Sequence, residues 1–335
     1  MQKLHRLAAA AAGLLALSLS ACAQQGGAGA AGDTSDTWPA GETITMLVGY
    51  AAGGTTDTMA RSLAGSLEEE LDVRVQVENK DGAGGQIAYT ELANSEPDGL
   101  TIGTLNYPTI LTTVLDEEKG ATYTLDDFQP LANHVNDPRI TIVHPDSPLQ
   151  TAQDLVEHAK ANPGELRGAT SGLSGGGHFS LIKLEQATGA DFTPVHFNTG
   201  QADAKAAFLG RHVDVYFASV GDGLEVVQSG SGRALGIMDD ERSQLLPDVP
   251  TYVEQGLDVH EAGMRGYAVP AGVPEERVEK LAAAFEEIIT SEEHQKELAN
   301  ISLQADFMGP QDYTAWLKAQ ETEVAEVNQI SKTDE

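Results

Sequence analysis

Leu47-Val48-Gly49-Tyr50-Ala51-Ala52-Gly53-Gly54-Thr55-Thr56-Asp57 sets two glycines and two threonines between an apolar run and an amphipathic one. Residues 44–50 read as a buried strand. Met59, Leu63, Leu67 and Leu71 then form a helical stripe, with Glu68, Glu69 and Glu70 on its outer part. The junction is therefore a strand, a glycine loop and a helix start. Helix starts carry backbone N–H groups without intrahelical partners, and they carry the positive end of the helix dipole. Such a loop can cradle a phosphate, position a nucleophile or hold a carboxylate without a charged side chain.

Working outward, the same unit recurs. Strands are expected at residues 73–77 and 100–105, with a glycine loop at 81–85 and a helix at 86–94 between them. This βαβαβ opening predicts an open α/β sheet with parallel pairings. A strand at 140–144 opens a second series. Thr151 caps a helix to Ala161, a strand follows at 166–169, and the glycine loop 172–177 precedes an apolar helix through Ala187. Helices at 202–209 and 222–228 alternate with strands at 213–217 and 234–238. Two helices close the chain, one marked by Val278, Leu281, Phe285 and Ile289 and one after Pro310. Two such halves suggest a ligand held between them, at the carboxyl ends of strands.

The chemistry of the loops narrows the class. None has the Gly-x-Gly-x-x-Gly spacing or a Gly-Lys-Ser/Thr, which argues against dinucleotides and phosphates. Gly172-Leu173-Ser174-Gly175-Gly176 matches Gly-x-Ser-x-Gly, with His178 four residues beyond the serine. A nucleophile elbow needs its serine directly on a strand-to-helix turn and its histidine far downstream, so a serine hydrolase using Ser174 is the weaker alternative. The third reading is a carboxylate clamp of two neutral loops, neither bearing Lys or Arg at its tip. Asp57 then caps the first helical turn.

The whole chain sets the setting. Its 335 residues hold 51 acidic and 20 basic side chains, a formal net charge of −31, which disfavours nucleic acid and anionic lipid as partners. Lys3 and Arg6 precede an apolar run over 7–19 too short to span a bilayer, and Leu19-Ser20-Ala21-Cys22 follows. This resembles a bacterial lipobox, with residues 1–21 as signal peptide, Cys22 as the lipidated N-terminus and 22–38 as a flexible linker. A single cysteine excludes internal disulfides.

Several motifs together resemble the substrate-binding proteins of tripartite tricarboxylate transporters, the Bug family. Gly49 to Asp57 with Ala60-Arg61 is similar to that family's Pro-Phe-Ala-Ala-Gly-Gly-x-x-Asp and Ala-Arg pattern. Val77 to Gly85, Pro97-Asp98-Gly99, Ala161-Asn162-Pro163-Gly164 and Leu209-Gly210 with Val213-Asp214 follow in the family's order. Leu246 to Thr251 and Pro270 to Pro274 complete the set, which covers roughly residues 38–330.

The resemblance implies an α/β, two-domain, periplasmic-binding-protein-like (Venus flytrap) fold with the ligand cleft between domains. Domain 1 is then residues 39–143 plus 263–335, and domain 2 residues 144–262. It implies a non-enzymatic receptor, a monomer without cofactor or metal, working with large and small integral-membrane subunits. A lipoprotein sensor that reports to a signalling partner would carry the same sequence features. The implied ligand residues are Tyr50, Ala52, Gly53, Gly54, Thr55, Thr56 and Asn106 on one side. Thr170, Ser171, Gly172, Ser174, Gly175, Asn198, Thr199 and Ser219 face them. Asn198 stands where many members carry Lys, and Met264 replaces a common Trp, so no relative's particular ligand transfers.

Overall fold

The computed structural model describes residues 38–197 and 200–332. The expected opening is present: β1 (Thr43–Val48), α1 (Thr55–Leu71), β2 (Arg74–Asn79), α2 (Gln86–Ala93) and β3 (Thr101–Asn106), to which the structure adds a short helix, α3 (Thr109–Val114). β1 pairs in parallel with both β2 and β3. After the long strand β4 (Phe128–Val143) comes a second parallel series. Its elements are α4 (Ala152–Ala161), β5 (Arg167–Thr170), α5 (Gly176–Thr188), β6 (Thr193–His196), α6 (Gln201–Leu209), β7 (Val215–Ser219), α7 (Val220–Gln228) and β8 (Arg233–Ile237). β5 pairs in parallel with β6 and β7. Thr151 caps α4 as expected, its side chain accepting from the Asp154 N–H.

The chain then returns through β9 (Ala262–Pro270), α8 (Glu275–Thr290), α9 (Glu292–Asn300), β10 (Ala305–Met308) and α10 (Pro310–Ser331). The strand order is β2-β1-β3-β9-β4-β7-β5-β6, with β8 and β10 also on β4. The sheet is mixed, because β9 and β4 insert antiparallel between the two parallel series. β4 serves both. It pairs with β9 from Phe128 to Pro138, and with β7 and β8 over Arg139 to Val143.

Apolar side chains cover both faces of each half. In the first, Ile44, Met46 and Val48 pack on one side and Leu47 on the other. In the second, Val143, Val215 and Phe217 oppose Ile142, Tyr216 and Ala218. This alternation is the pleat of strands buried on both faces. α10 lies along α5, with Val324 and Val327 beside Phe179 and Ile182. Lys183 joins Glu323 (2.9 Å) and the buried Glu261 (2.8 Å) beneath them.

Two expectations differ from this architecture. The strand predicted at 140–144 is the last quarter of a sixteen-residue strand that ends at Val143. Its earlier part carries buried polar residues, Asn133, His134, Asp137 and Arg139, which a hydropathy pattern reads as loop. β6, β9, β10, α3 and α9 were also not expected: β9 is glycine-interrupted, α9 is polar except for Leu298 and Ala299, and α3, β6 and β10 are only four to six residues long.

Candidate functional site

The carboxyl ends of β1, β3, β5, β6 and β7 lead into the loops that the sequence singled out. In the first, residues 51–55 are exposed while Thr56 and Asp57 are buried. Gly53 has φ +81°, a left-handed conformation open to glycine at little cost. Gly54 is the N-cap of α1, and no side chain caps that helix. Asp57 accepts a backbone N–H and fixes the loop as expected, although the amide it holds lies in the loop and not in the first turn of α1. Its carboxylate reaches back outside the helix to accept the Gly53 N–H (2.8 Å), and Asn79 Nδ2 and Arg61 donate to it as well. Burial pushes this carboxyl up, but the bonds from Arg61, Gly53 and Asn79 outweigh it and hold Asp57 below the usual carboxylate range. The loop is thus locked while the first amides of α1 stay without a side-chain acceptor.

Behind it, Asn106 donates from Nδ2 to Thr56 Oγ1 (3.0 Å), and its buried Oδ1 has no partner among the described residues. Tyr50 is half-buried against the first core, its hydroxyl donating to Gly84 O (3.4 Å).

The second loop has the same form. Gly175 is the N-cap of α5, again without a side-chain cap. Gly172 and Ser174 both take positive φ, +114° and +56°. Thr170 is fully buried, with Oγ1 2.8 Å from His196 Nδ1. Ser171 and Gly172 complete the turn, half-buried and buried. Ser174 Oγ meets Ser331 Oγ of α10 at 2.9 Å, and it is the Ser174 backbone N–H that donates to His178 Nδ1 (3.2 Å). The serine hydroxyl and the nearest histidine are therefore not arranged as nucleophile and base. Ser219 caps α7: its Oγ accepts from the Asp222 N–H and donates to Asp222 Oδ2, so both its hydrogen-bonding roles are engaged. Asn198, Thr199 and Cys22 lie outside the described residues.

Sequence reasoning expected no buried cation near these loops, and the structure corrects this with two arginines. Arg265 of β9, opposite Asn106 of β3, donates from both Nη atoms to Asp137 Oδ2 (3.1 Å), and Asp137 Oδ1 accepts the Gly221 N–H of α7. Arg139 of β4 is buried, and its guanidinium lies against Gly176, the first residue of α5. The only sequence signal was two charges flanking Pro138 just ahead of an apolar run.

A cavity of about 720 Å³ lies elsewhere. Tyr107, Glu261, Met264, Trp316 and Glu323 are among its lining residues, and neither glycine loop contributes. Met264 and Arg265 are adjacent on β9, so this cavity and the Arg265–Asp137 pair occupy opposite faces of the strand.

The comparisons agree with this geometry. Residues 59–332 match the family model described as tripartite tricarboxylate transporter family receptor. A Cupriavidus necator protein encoded in the gbd 5′ region is 30% identical over 318 residues, 93% of each chain. A Rhodopseudomonas palustris protein solved with adipate superposes with TM-score 0.74 at 25% identity, covering 88% of this chain and 98% of that one. MatC of the same organism, with bound malate, gives 0.70 at 26%, covering 86% and 99%. The fold is the two-domain periplasmic-binding-protein type that the resemblance implied. The match over residues 59–332 spans most of the described structure, and the chain belongs to the tripartite tricarboxylate transporter receptor family.

Proposed function

We propose that this protein is an extracytoplasmic receptor that captures a small carboxylate and delivers it to the membrane subunits of a tripartite tricarboxylate-type transporter. The observation that carries this reading is the pair of uncapped helix N-termini, α1 and α5, each following a glycine loop at the carboxyl end of a parallel strand. Backbone amides held in place bind carboxylate oxygens without reorganisation, and lobe closure excludes the water that would screen them. Two structural neighbours carry adipate and malate, which supports the ligand class. The lobes in this reading are residues 39–143 with 263–335, and 144–262, with β4 and β9 as the connecting strands. Cys22 is the lipid attachment point, and residues 22–38 tether the body. The site residues are those of the two loops together with Asn106, Asn198 and Thr199.

A receptor of this kind performs no covalent chemistry, and the arrangement of Ser174 with Ser331 supports that over the hydrolase alternative. The test is calorimetry of the mature protein against a panel of mono-, di- and tricarboxylates, with Gly54→Val and Gly175→Val as controls. Micromolar or tighter binding of at least one acid, lost in both variants, is expected. An acid bound equally by wild type and both variants would put the clamp elsewhere.

A further inference from the structure

We infer that Arg139 turns the α5 end of the clamp into a charged subsite, so that the ligand carries a second anionic group there; this rests on the carboxylate-receptor reading above. Arg139 is 7% exposed. Its Nε has no hydrogen-bond partner among the described residues, and none of their carboxylates forms an ion pair with the guanidinium. Burying an unpaired guanidinium is costly, and this one has a second cost. It lies against Gly176 at the positive end of α5, a thirteen-residue helix with no side-chain cap. Cations belong at the other end of a helix.

The surrounding acids do not resolve this. Glu261 is 2.8 Å from Lys183 Nζ, Asp137 is held by Arg265 and the Gly221 N–H, and Asp222 accepts from Ser219 Oγ. Asp137 and Asp222 are committed to other donors. Glu261 is ion-paired with Lys183 through Oε2, while its Oε1 has no hydrogen-bond partner among the described residues. Glu261 and Asp222 act on Arg139 through their longer-range field. The backbone meanwhile makes room for the guanidinium. A Cβ at Gly176 would overlap it, and one at Gly263 would come within 3.1 Å of an Nη. A positive side chain, a positive helix end and a glycine cradle converge on one point. An anionic group placed there would satisfy the arginine and the α5 amides together, with charge-assisted hydrogen bonds to both. The first loop has no free cation, because Arg61 is bound to Asp57, so the two ends of the clamp are not equivalent. The subsite therefore selects dianions over monoanions of the same length.

The experiment uses the mature full chain, with adipate, malate and the monoamide of each as probes in calorimetry. In wild type, the diacid that binds should exceed its monoamide by about 30-fold, the weight of one bidentate charged contact. In Arg139→Gln the diacid should weaken until this ratio falls to about threefold or less, with monoamide affinity unchanged. Arg139→Lys should keep part of the ratio. Because the arginine lacks a partner without ligand, unliganded Arg139→Gln should melt no lower than wild type. An unchanged diacid-to-monoamide ratio in Arg139→Gln overturns the inference while leaving the receptor reading intact. A lowered melting temperature with that ratio unchanged makes Arg139 a structural residue and also overturns it. If wild type binds none of the four compounds, the ligand-class reading falls and this subsite with it.

Discussion

The carboxylate of Asp57 accepts the backbone N–H of Gly53 at 2.8 Å, four residues back along the chain. This single bond closes the glycine loop on itself from inside the helix, and Arg61 and Asn79 hold the same carboxylate from the other side. The helix N-terminus is left open because its acidic residue is used to shape the loop.

Asp57→Ala should therefore loosen the loop and destabilise the protein by about 1–3 kcal/mol, the range for losing charged hydrogen bonds at a buried site. The folded-state pKa of Asp57 is depressed, so its contribution is fully present above the ordinary carboxylate value near 4 and is lost as pH falls through the lower folded value. Denaturant melts of both proteins at pH 7 and pH 3 check this. The gap between them should shrink at the acid end, and a constant gap would count against the assignment.

Gly54→Val should abolish ligand binding with little loss of stability. Gly54 has φ −74°, which any residue adopts, and a Cβ there meets only Ala51 O at 3.2 Å. The side chain would instead fill the space before the α1 amides. Calorimetry paired with a thermal melt separates the two effects. A melting temperature depressed by more than about 3 °C, roughly 1 kcal/mol for a protein of this size, would show that the loop is structural.

Ser174→Ala should cost about 1 kcal/mol or less in stability, since it removes the hydroxyl contact to Ser331 that ties the second loop to α10. The wild type should form no acyl intermediate with an activated ester. Mass spectrometry after incubation with p-nitrophenyl acetate is the check, and a stoichiometric acetyl group on Ser174 would restore the hydrolase reading.

His134 and His294 share a buried 2.7 Å contact between their Nε2 atoms. Burial, with the neighbouring imidazole adding to it, pushes His134 well below its ordinary value; burial also lowers His294, partly opposed by Glu297. Because the folded values are depressed, the folded pair binds fewer protons than the unfolded chain below about pH 6.5. Stability is therefore full above that pH and falls as pH drops towards 5. The expected observation is a melting temperature that declines over this window, with a shallower decline in His294→Gln. A flat wild-type profile between pH 7 and pH 5.5 would exclude the mechanism.

Cys22→Ala should abolish incorporation of labelled palmitate and release the protein from the membrane fraction. Equal labelling of both proteins would show that the lipobox-like run is an ordinary cleaved signal.

Much of the fold was legible because strongly periodic segments announce themselves. α1, α4, α8 and most of both parallel series follow from apolar spacing, turn residues and the Thr151 cap, β6 excepted. The glycine loops were legible too, since glycine at a strand-to-helix junction has few physical uses. What escaped was the middle of the sheet. β4 and β9 bury Asn133, His134, Asp137, Arg139 and Glu261 in or beside them, and a polar residue carries no sign of burial until its partner, often more than a hundred residues away, is brought alongside.

By itself, then, the sequence determined most of the βα units, the position of the two glycine loops and the family, because each depends on local spacing or on an ordered set of short motifs. Only the tertiary structure decided how the charges are distributed around those loops. The pairing of β3, β9, β4 and β7 sets Arg265 against Asp137 and leaves Arg139 at the start of α5 without a counter-ion among the described residues. Electrostatic energy depends on distance and burial, and neither is encoded in sequence separation: Asp137 lies 128 residues from the arginine that neutralises it.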